Sequence, residues 1–403
     1  MKVSDIHIRD YDYILPEERI AKFPLIQRDG SKLLVYEKGH ISHTLFRNIV
    51  EYIPATDLLV FNNTRVIQSR FLFKKSTGAL IEIFCLEPSD PADYQQSFQN
   101  KNQVTWQCLI GNAKRWKEGQ LTKSIIHKDR GITVCAEKLK KTNDTWLVRF
   151  SWEPGNYTFA DILSTAGLIP IPPYLKREPV AEDEINYQTV YSSIDGSVAA
   201  PTAGFHFTPE IFDKLKNKSI PGLELTLHAG AGTFRPVLAS EIHEHTMHAE
   251  HIYFKRDDIK KLSAHKGKIT SVGTTSARTL ETIYWLGCKV KQQGNMNLQS
   301  LSLDQWEDHN LIPLTKDISL ETLLEFSERN SINEFHGITR LMIIPGYRYH
   351  MVDRIITNFH QPRSTLLLLI SSFIGGDWRK VYEYAMKHDF RFLSYGDSSL
   401  LIP

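Results

Sequence analysis

The chain has 403 residues, 41% hydrophobic and 23% charged, with 48 basic against 46 acidic side chains and a net charge of +2. That length exceeds one ordinary core, so two domains are expected, and the near-neutral balance excludes a uniformly basic nucleic-acid binder: any such surface must be a local patch. Four widely spaced cysteines, none in a C-x-x-C pair, fit free thiols in a reducing compartment. The charged start MKVSDIHIRDYDY has no apolar signal core, and the longest apolar run, at 366–374, is too short to span a membrane. No membrane association and a cytoplasmic setting are therefore expected.

In chain order, the apolar run 57–61 (DLLVF) predicts a buried strand that stops at Asn62-Asn63, with Thr64 and Arg65 close to its end. Short runs at 80–86, 104–110, 132–136 and 145–151, separated by polar turns, predict a small antiparallel barrel or sandwich inserted in a larger domain. Between Lys114 and Arg149 stand ten Lys/Arg against four acids, a local +6, with Trp116 and Trp146 interleaved. Such a patch suits a phosphate backbone and equally a solvated face. Residues 157–166 predict a helix stopped by Gly167, followed by a proline-rich connector, LIPIPPYLKRE.

Further on, the pattern predicts helices at 257–265, 320–327, 364–373 and 378–388, and strands at 269–272, 341–344, 354–357 and 391–394. Gly273-Thr274-Thr275-Ser276 opens another helix, to Trp285, stopped by Gly287; its free amides and hydroxyls form either an anion site or an ordinary cap. Alternating strands and helices indicate an α/β protein. The domains expected are 1–69 and 153–403 for the main α/β domain, and 70–152 for the insert.

Between Gly196 and His251 lie six of the sixteen histidines. Ala200, Pro201, Thr202 and Gly204 add little bulk, so the backbone there can approach a ligand, and glycine is free to take a positive φ. His206 falls just before a helix opened by Thr208-Pro209. The run 223–228 alternates as a half-buried strand, leaving His228 at its C-terminal end before Gly230 and Gly232. Strand ends before glycine turns are where α/β proteins build crevices, so His206 and His228 are expected to face one pocket, structural hydrogen bonding being the alternative. His243, His245, His248 and His251, beside Glu244 and Glu250, read as a zinc site or as acid/base machinery; no Cys or Asp joins them, which favours the latter. No G-x-G-x-x-G, Walker loop or H-E-x-x-H is present.

The blocks LLVFNNTRVI, IPIPPYLKRE, YQTVYSSIDGSVAAPTAGFHFT, LTLHAGAGTFRPV, EHTMHAE, VGTTSARTLE, TNFHQPRSTLLLLIS and FLSYGD, in this order, resemble the S-adenosylmethionine:tRNA ribosyltransferase-isomerase family of queuosine biosynthesis. The resemblance runs from about Tyr13 to Leu401. It implies a barrel-like α/β main domain with an inserted antiparallel β-barrel, and transfer and isomerisation of the ribosyl part of S-adenosylmethionine onto 7-aminomethyl-7-deazaguanine at the tRNA wobble position. Epoxyqueuosine-tRNA, adenine and methionine would be the products. It implies no metal and no cofactor beyond S-adenosylmethionine as co-substrate, a tRNA partner of the GUN anticodon type, and a monomer is expected.

On this reading His206, His228, His248, His245 and Glu250 move or orient protons. Ala200, Pro201, Thr202, Gly204, Gly230, Gly232, Thr233, Phe234, Thr274, Thr275 and Ser276 hold S-adenosylmethionine, and Arg65, Lys114, Arg115, Asn358, His360 and Arg363 meet tRNA. Two departures stand out: Gly111-Asn112-Ala113-Lys114 where the family has Arg-Pro-Ser-Lys, and Gly337-Ile338-Thr339-Arg340 where it has Gly-Trp-Thr-Asp. They leave open a paralogue acting on another nucleoside or RNA. A non-catalytic RNA-binding relative and a metal-dependent hydrolase are the remaining alternatives.

Overall fold

The structure, a computed structural model, describes residues 3–142, 145–230, 232, 237, 239, 241–294 and 301–403. A ten-stranded mixed sheet organises the chain. In spatial order its strands are Leu301–Leu303, Glu334–Thr339, Glu250–Lys255, Gly222–His228, Leu58–Asn62, Ile269–Val272, Arg354–Asn358, Ser398–Ile402, Lys32–Glu37 and His40–Leu45. The central Leu58–Asn62 strand is buried on both faces, as its continuous apolar run requires. It runs parallel to Gly222–His228 on one side and to Ile269–Val272 on the other. Helices Arg256–Ala264, Thr274–Gln293, Lys316–Arg329 and Thr365–Ile374 share one apolar core. Helix Pro209–Asn217 and the 3-10 turn Phe46–Tyr52 build a second.

The main sheet is open among the described residues. Its outermost strands, Leu301–Leu303 and His40–Leu45, each pair on one side only, so strand pairing does not close it into a ring. The insert is a separate seven-stranded antiparallel sheet: Gly167–Leu168, Arg70–Lys74, Leu80–Asp90, Gln103–Gly111, Thr145–Glu153, Arg130–Thr142 and Gln120–His127. It surrounds its own core of Phe71, Phe73, Trp106, Trp116 and Phe150. Helix Phe159–Ala166, opened by a Thr158–Asp161 capping box, packs into that core rather than into the main domain. The insert's strand pairing thus runs past Trp152 to Leu168.

Three readings of the C-terminal half need correction. Residues 341–344 and 391–394 are buried but form no strand; the sheet instead takes Ser398–Ile402, too short for its period to show, between Lys32–Glu37 and Arg354–Asn358. The helix from Thr274 also runs past Gly287 to Gln293. Gly287 is no stop signal: a Cβ there would lie 2.2 Å from Ser319 Oγ and 2.3 Å from its carbonyl oxygen, so the glycine admits close approach of helix Lys316–Arg329. Gly287→Ala is expected to destabilise the fold by about 1–3 kcal/mol through overpacking, outweighing the roughly 1 kcal/mol of helix propensity gained; urea unfolding measures the difference.

Candidate active site

The strands Ile269–Val272 and Arg354–Asn358 are parallel, and a cleft opens at their C-terminal ends, where α/β sheets bind ligands. The first strand ends at Gly273 (φ +88°), a conformation that suits glycine, and its amide donates to the Ile356 carbonyl. The helix Thr274–Gln293 then starts with its amides at the cleft wall. The facing wall is the small-residue segment Ala200, Pro201, Thr202, Ala203. Counted to its solvent mouth, the cleft encloses about 720 Å³. Two of its lining groups, Thr275 Oγ1 and Tyr187 Oη, are buried without a hydrogen-bond partner among the described residues.

A hydrogen-bonded ladder supports the cleft from behind. Thr202 Oγ1 donates to Asn358 Oδ1 (2.8 Å), Asn358 Nδ2 to His206 Nε2 (3.2 Å), and His206 Nδ1 meets Ser31 Oγ (2.8 Å). The amide can only donate from Nδ2, so His206 accepts at Nε2 and carries its proton on Nδ1. Burial pushes its pKa down to about 3. With both nitrogens engaged, His206 braces the Asn358 amide from behind the cleft. His360 is half-buried at the cleft, desolvation lowers its pKa to about 3, and its Nε2 lies 2.9 Å from Thr357 Oγ1.

A second cluster joins helix to sheet. Glu250 starts the strand Glu250–Lys255 and is fully buried; it pairs with Arg278 of the helix, and His248 Nε2 lies 3.2 Å from its other oxygen. Burial alone would raise the Glu250 pKa, but Arg278 and then His248 overcome this and hold it at about 2. Gly230 and Gly232 pack against the His248 ring. His245 lies nearby, its pKa lowered first by burial and then by His248. Nothing in the sequence reading reached Arg278. The available signal was a charged residue among the buried positions of the helix Thr274–Gln293.

His228 lies elsewhere. Its ring stacks on Tyr94 of the insert (4.5 Å, 21°) and meets Tyr253 edge-on, facing a groove between insert and main sheet. Nδ1 is buried without a partner among the described residues, close against Gly196, and burial lowers the pKa to about 3. Among the described residues His228 thus faces this groove, His206 lies behind the cleft beside Asn358, and His248 stands against Glu250. Among the described residues no three His, Cys, Asp or Glu side chains could hold a metal.

The other expected site residues separate into groups. Ala200, Pro201, Thr202, Thr274 and Thr275 line the cleft, together with Asn358 and His360, which had been assigned to a tRNA surface. Gly204 lies behind the wall, where a Cβ would meet Tyr191 Oη at 1.9 Å, and its φ is not positive, so side-chain packing and not ligand approach requires the glycine. Ser276 is buried and donates to the Val272 carbonyl. Thr233 and Phe234 lie outside the described residues. Arg65 is half-exposed and bonds the Ser192 carbonyl (3.2 Å); Lys114 and Arg115 are exposed on one turn of the insert; Arg363 lies 3.3 Å from Asp12. Within the basic patch, Lys123 donates to the Ala166 carbonyl, Lys138 to that of Trp116, and Arg149 pairs with Glu137. Arg340 pairs with Asp304 (3.1 Å).

A cleft at parallel strand ends, walled by small residues and a helix N-terminus, is the arrangement of an α/β enzyme acting on a small co-substrate that carries an anionic group. The family model of the queuosine biosynthesis protein matches residues 8–401. The S-adenosylmethionine:tRNA ribosyltransferase-isomerase of Trichlorobacter lovleyi is 36% identical over 402 residues, 98% of this chain and 99% of that one. Its counterpart in Thermotoga petrophila is 36% identical over 408 residues, covering both chains completely. A crystal structure of S-adenosylmethionine tRNA ribosyltransferase from Thermotoga maritima is 27% identical, covers 98% of this chain and 100% of that one, and superposes with a TM-score of 0.46. The chain belongs to the queuosine biosynthesis protein family.

The Glu250–Arg278 pair makes stability pH-dependent. The folded-state pKa of Glu250 lies below its ordinary 4.5, so its contribution is fully present above about 4.5 and is lost as pH falls toward about 2. Glu250→Gln is expected to cost about 3–5 kcal/mol at neutral pH, because it strands the buried Arg278. The gap to wild type should narrow as pH drops below that value, measured by chemical denaturation across a pH series.

Proposed function

We infer that the chain transfers the ribosyl group of S-adenosylmethionine to 7-aminomethyl-7-deazaguanine at the wobble position of tRNA and isomerises it, giving epoxyqueuosine-tRNA and releasing adenine and methionine. Membership of the family supports the reaction class, and the cleft supports the co-substrate. The observation that carries this reading is the pair of unpartnered buried hydroxyls, Thr275 Oγ1 and Tyr187 Oη, in a cleft headed by a helix N-terminus. The methionine carboxylate belongs at that N-terminus, where free amides and the helix dipole favour an anion. Asn358 and the Ala200–Ala203 wall then bound the sugar.

The positive sulfonium acidifies the adjoining ribose carbon. A base removes that proton, adenine leaves, the acceptor's aminomethyl nitrogen attacks the sugar, and methionine departs as the epoxide closes. His248 suits the proton transfer: its side chain is about a third exposed, and Glu250, 3.2 Å from its Nε2, orients it. A positioned base supplies roughly a hundred- to ten-thousand-fold, so placement of the two substrates supplies much of the rest. The tRNA would reach the cleft beside Arg65, Arg363 and the exposed cations of the insert, as a monomeric enzyme acting on tRNA of the GUN type. The chain has no helix long and apolar enough to cross a membrane among its described residues.

Incubation with labelled S-adenosylmethionine and tRNA carrying the precursor base, followed by nucleoside analysis, tests the reading; tRNA binding without consumption of S-adenosylmethionine would reverse it in favour of a non-catalytic relative. Asn358→Ala is expected to raise KM for S-adenosylmethionine about ten-fold, the worth of one lost hydrogen bond. His206→Ala should do much the same at near-wild-type pH dependence, since its effect passes through Asn358. His248→Ala, by contrast, should lower kcat by roughly a hundred-fold or more, which steady-state kinetics separates.

A further inference from the structure

Farther along the helix Thr274–Gln293, at Trp285, a broad groove opens between the segments 308–316 and 344–350, roughly 15 Å from Thr275 by helical rise. It spans about 1610 Å³ counted to its solvent mouth. One wall is aromatic and firmly held. The Trp285 indole donates to Tyr347 Oη (2.8 Å), which donates to Glu281 (2.9 Å). Glu281 is buried and also accepts the backbone N–H groups of His350, Met351 and Val352. His350 in turn stacks on Tyr284 at 4.0 Å and 8°. Arg348 lies exposed on this segment, and Lys316, whose ammonium reaches only to 3.5 Å from the His265 carbonyl, lines the opposite side.

Asp308 also lines the groove. Its side chain is 6% exposed, and Oδ1 is buried without a hydrogen-bond partner among the described residues. The other oxygen lies 3.8 Å from His309 Nε2. Burial raises the Asp308 pKa, with His309 and the nearby amides of Asp308 and His309 opposing it. A buried acceptor left empty costs stability, which a ligand carrying N–H donors would recover. A phosphate or carboxylate ligand has no such donor, and a divalent cation needs more oxygens than one carboxylate offers. A nucleobase has both the N–H edge and the π-face that the aromatic wall accepts, and its sugar-phosphate would meet Arg348 and Lys316.

We propose that this groove binds one unpaired nucleotide of the tRNA, away from the residue that reacts, stacking its base on Tyr347 and His350, which Trp285 holds from behind, and receiving its N–H edge at Asp308. The proposal rests on the tRNA-substrate reading above, and it gives the enzyme a second hold on the RNA at a distance from the cleft.

Saturation kinetics with tRNA, at saturating S-adenosylmethionine and with the full chain, test it. Asp308→Asn is expected to raise KM for tRNA about ten-fold or more while kcat and KM for S-adenosylmethionine stay within about two-fold. Arg348→Glu, at an exposed position that should not disturb folding, is expected to raise KM for tRNA and to flatten its dependence on salt. Unchanged KM for tRNA in folded Asp308→Asn, or in Arg348→Glu if the former fails to fold, overturns the proposal. So does binding of adenosine or guanosine monophosphate that depends on Asp308 while KM for tRNA is unmoved, which would assign the groove to free nucleotides. A wild-type chain that leaves S-adenosylmethionine intact in the presence of tRNA would instead remove the underlying reading, so the two failures are told apart in one assay.

Discussion

A carboxylate closed off from water stays ionised only beside a matching charge, and the contact of Glu250 with Arg278 meets that condition. The strand that starts at Glu250 pairs with Gly222–His228 on one side and Glu334–Thr339 on the other, so the ion pair fastens the long helix to the sheet. The same helix begins at the cleft, and the same carboxylate holds His248. Cleft wall and proposed base therefore share one anchor. Apolar residues of similar volume would often serve stability as well as a buried ion pair does, so its value here lies in fixing where His248 and the helix N-terminus stand.

Burial divides the histidines by task. His206, His228 and His360 lose their charged form to desolvation and act as neutral rings: one braces Asn358, one packs between Tyr94 and Gly196, one sits at the cleft beside Thr357. His248 differs from them in keeping partial access to solvent and a carboxylate neighbour 3.2 Å away. Asn358 belongs to the cleft for a similar reason: its amide is held from two sides, by Thr202 and His206, with its orientation settled before any ligand arrives.

Much of the fold was legible because the features were local. The Ile269–Val272 strand, the turn at Gly273 and the apolar helix near residue 365 each advertise themselves within a dozen residues. What escaped depends on partners far along the chain. Gly287 reads as a helix stop until Ser319 is placed against it. Ser398–Ile402 is a strand because two neighbours receive it, with too few residues to declare a period. At the site, the small-residue segment from Ala200 and the helix start at Thr274 and Thr275 line the cleft, whereas His228 faces a different groove, since spacing along a chain says nothing of where a ring is received. Arg278 was hidden for the opposite reason: its meaning lies wholly in Glu250, 28 residues earlier.

Tyr94 belongs to the insert, yet its ring lies flat on His228 at the end of a main-sheet strand, and Glu87 of the insert is near enough to feel His248 and Arg340. The two bodies thus touch through aromatic and charged side chains at the catalytic sheet, in addition to the covalent connections between them. His228 is thus packed by both bodies at once: without the Tyr94 ring, an imidazole whose Nδ1 already lacks a partner among the described residues would lose its cover as well.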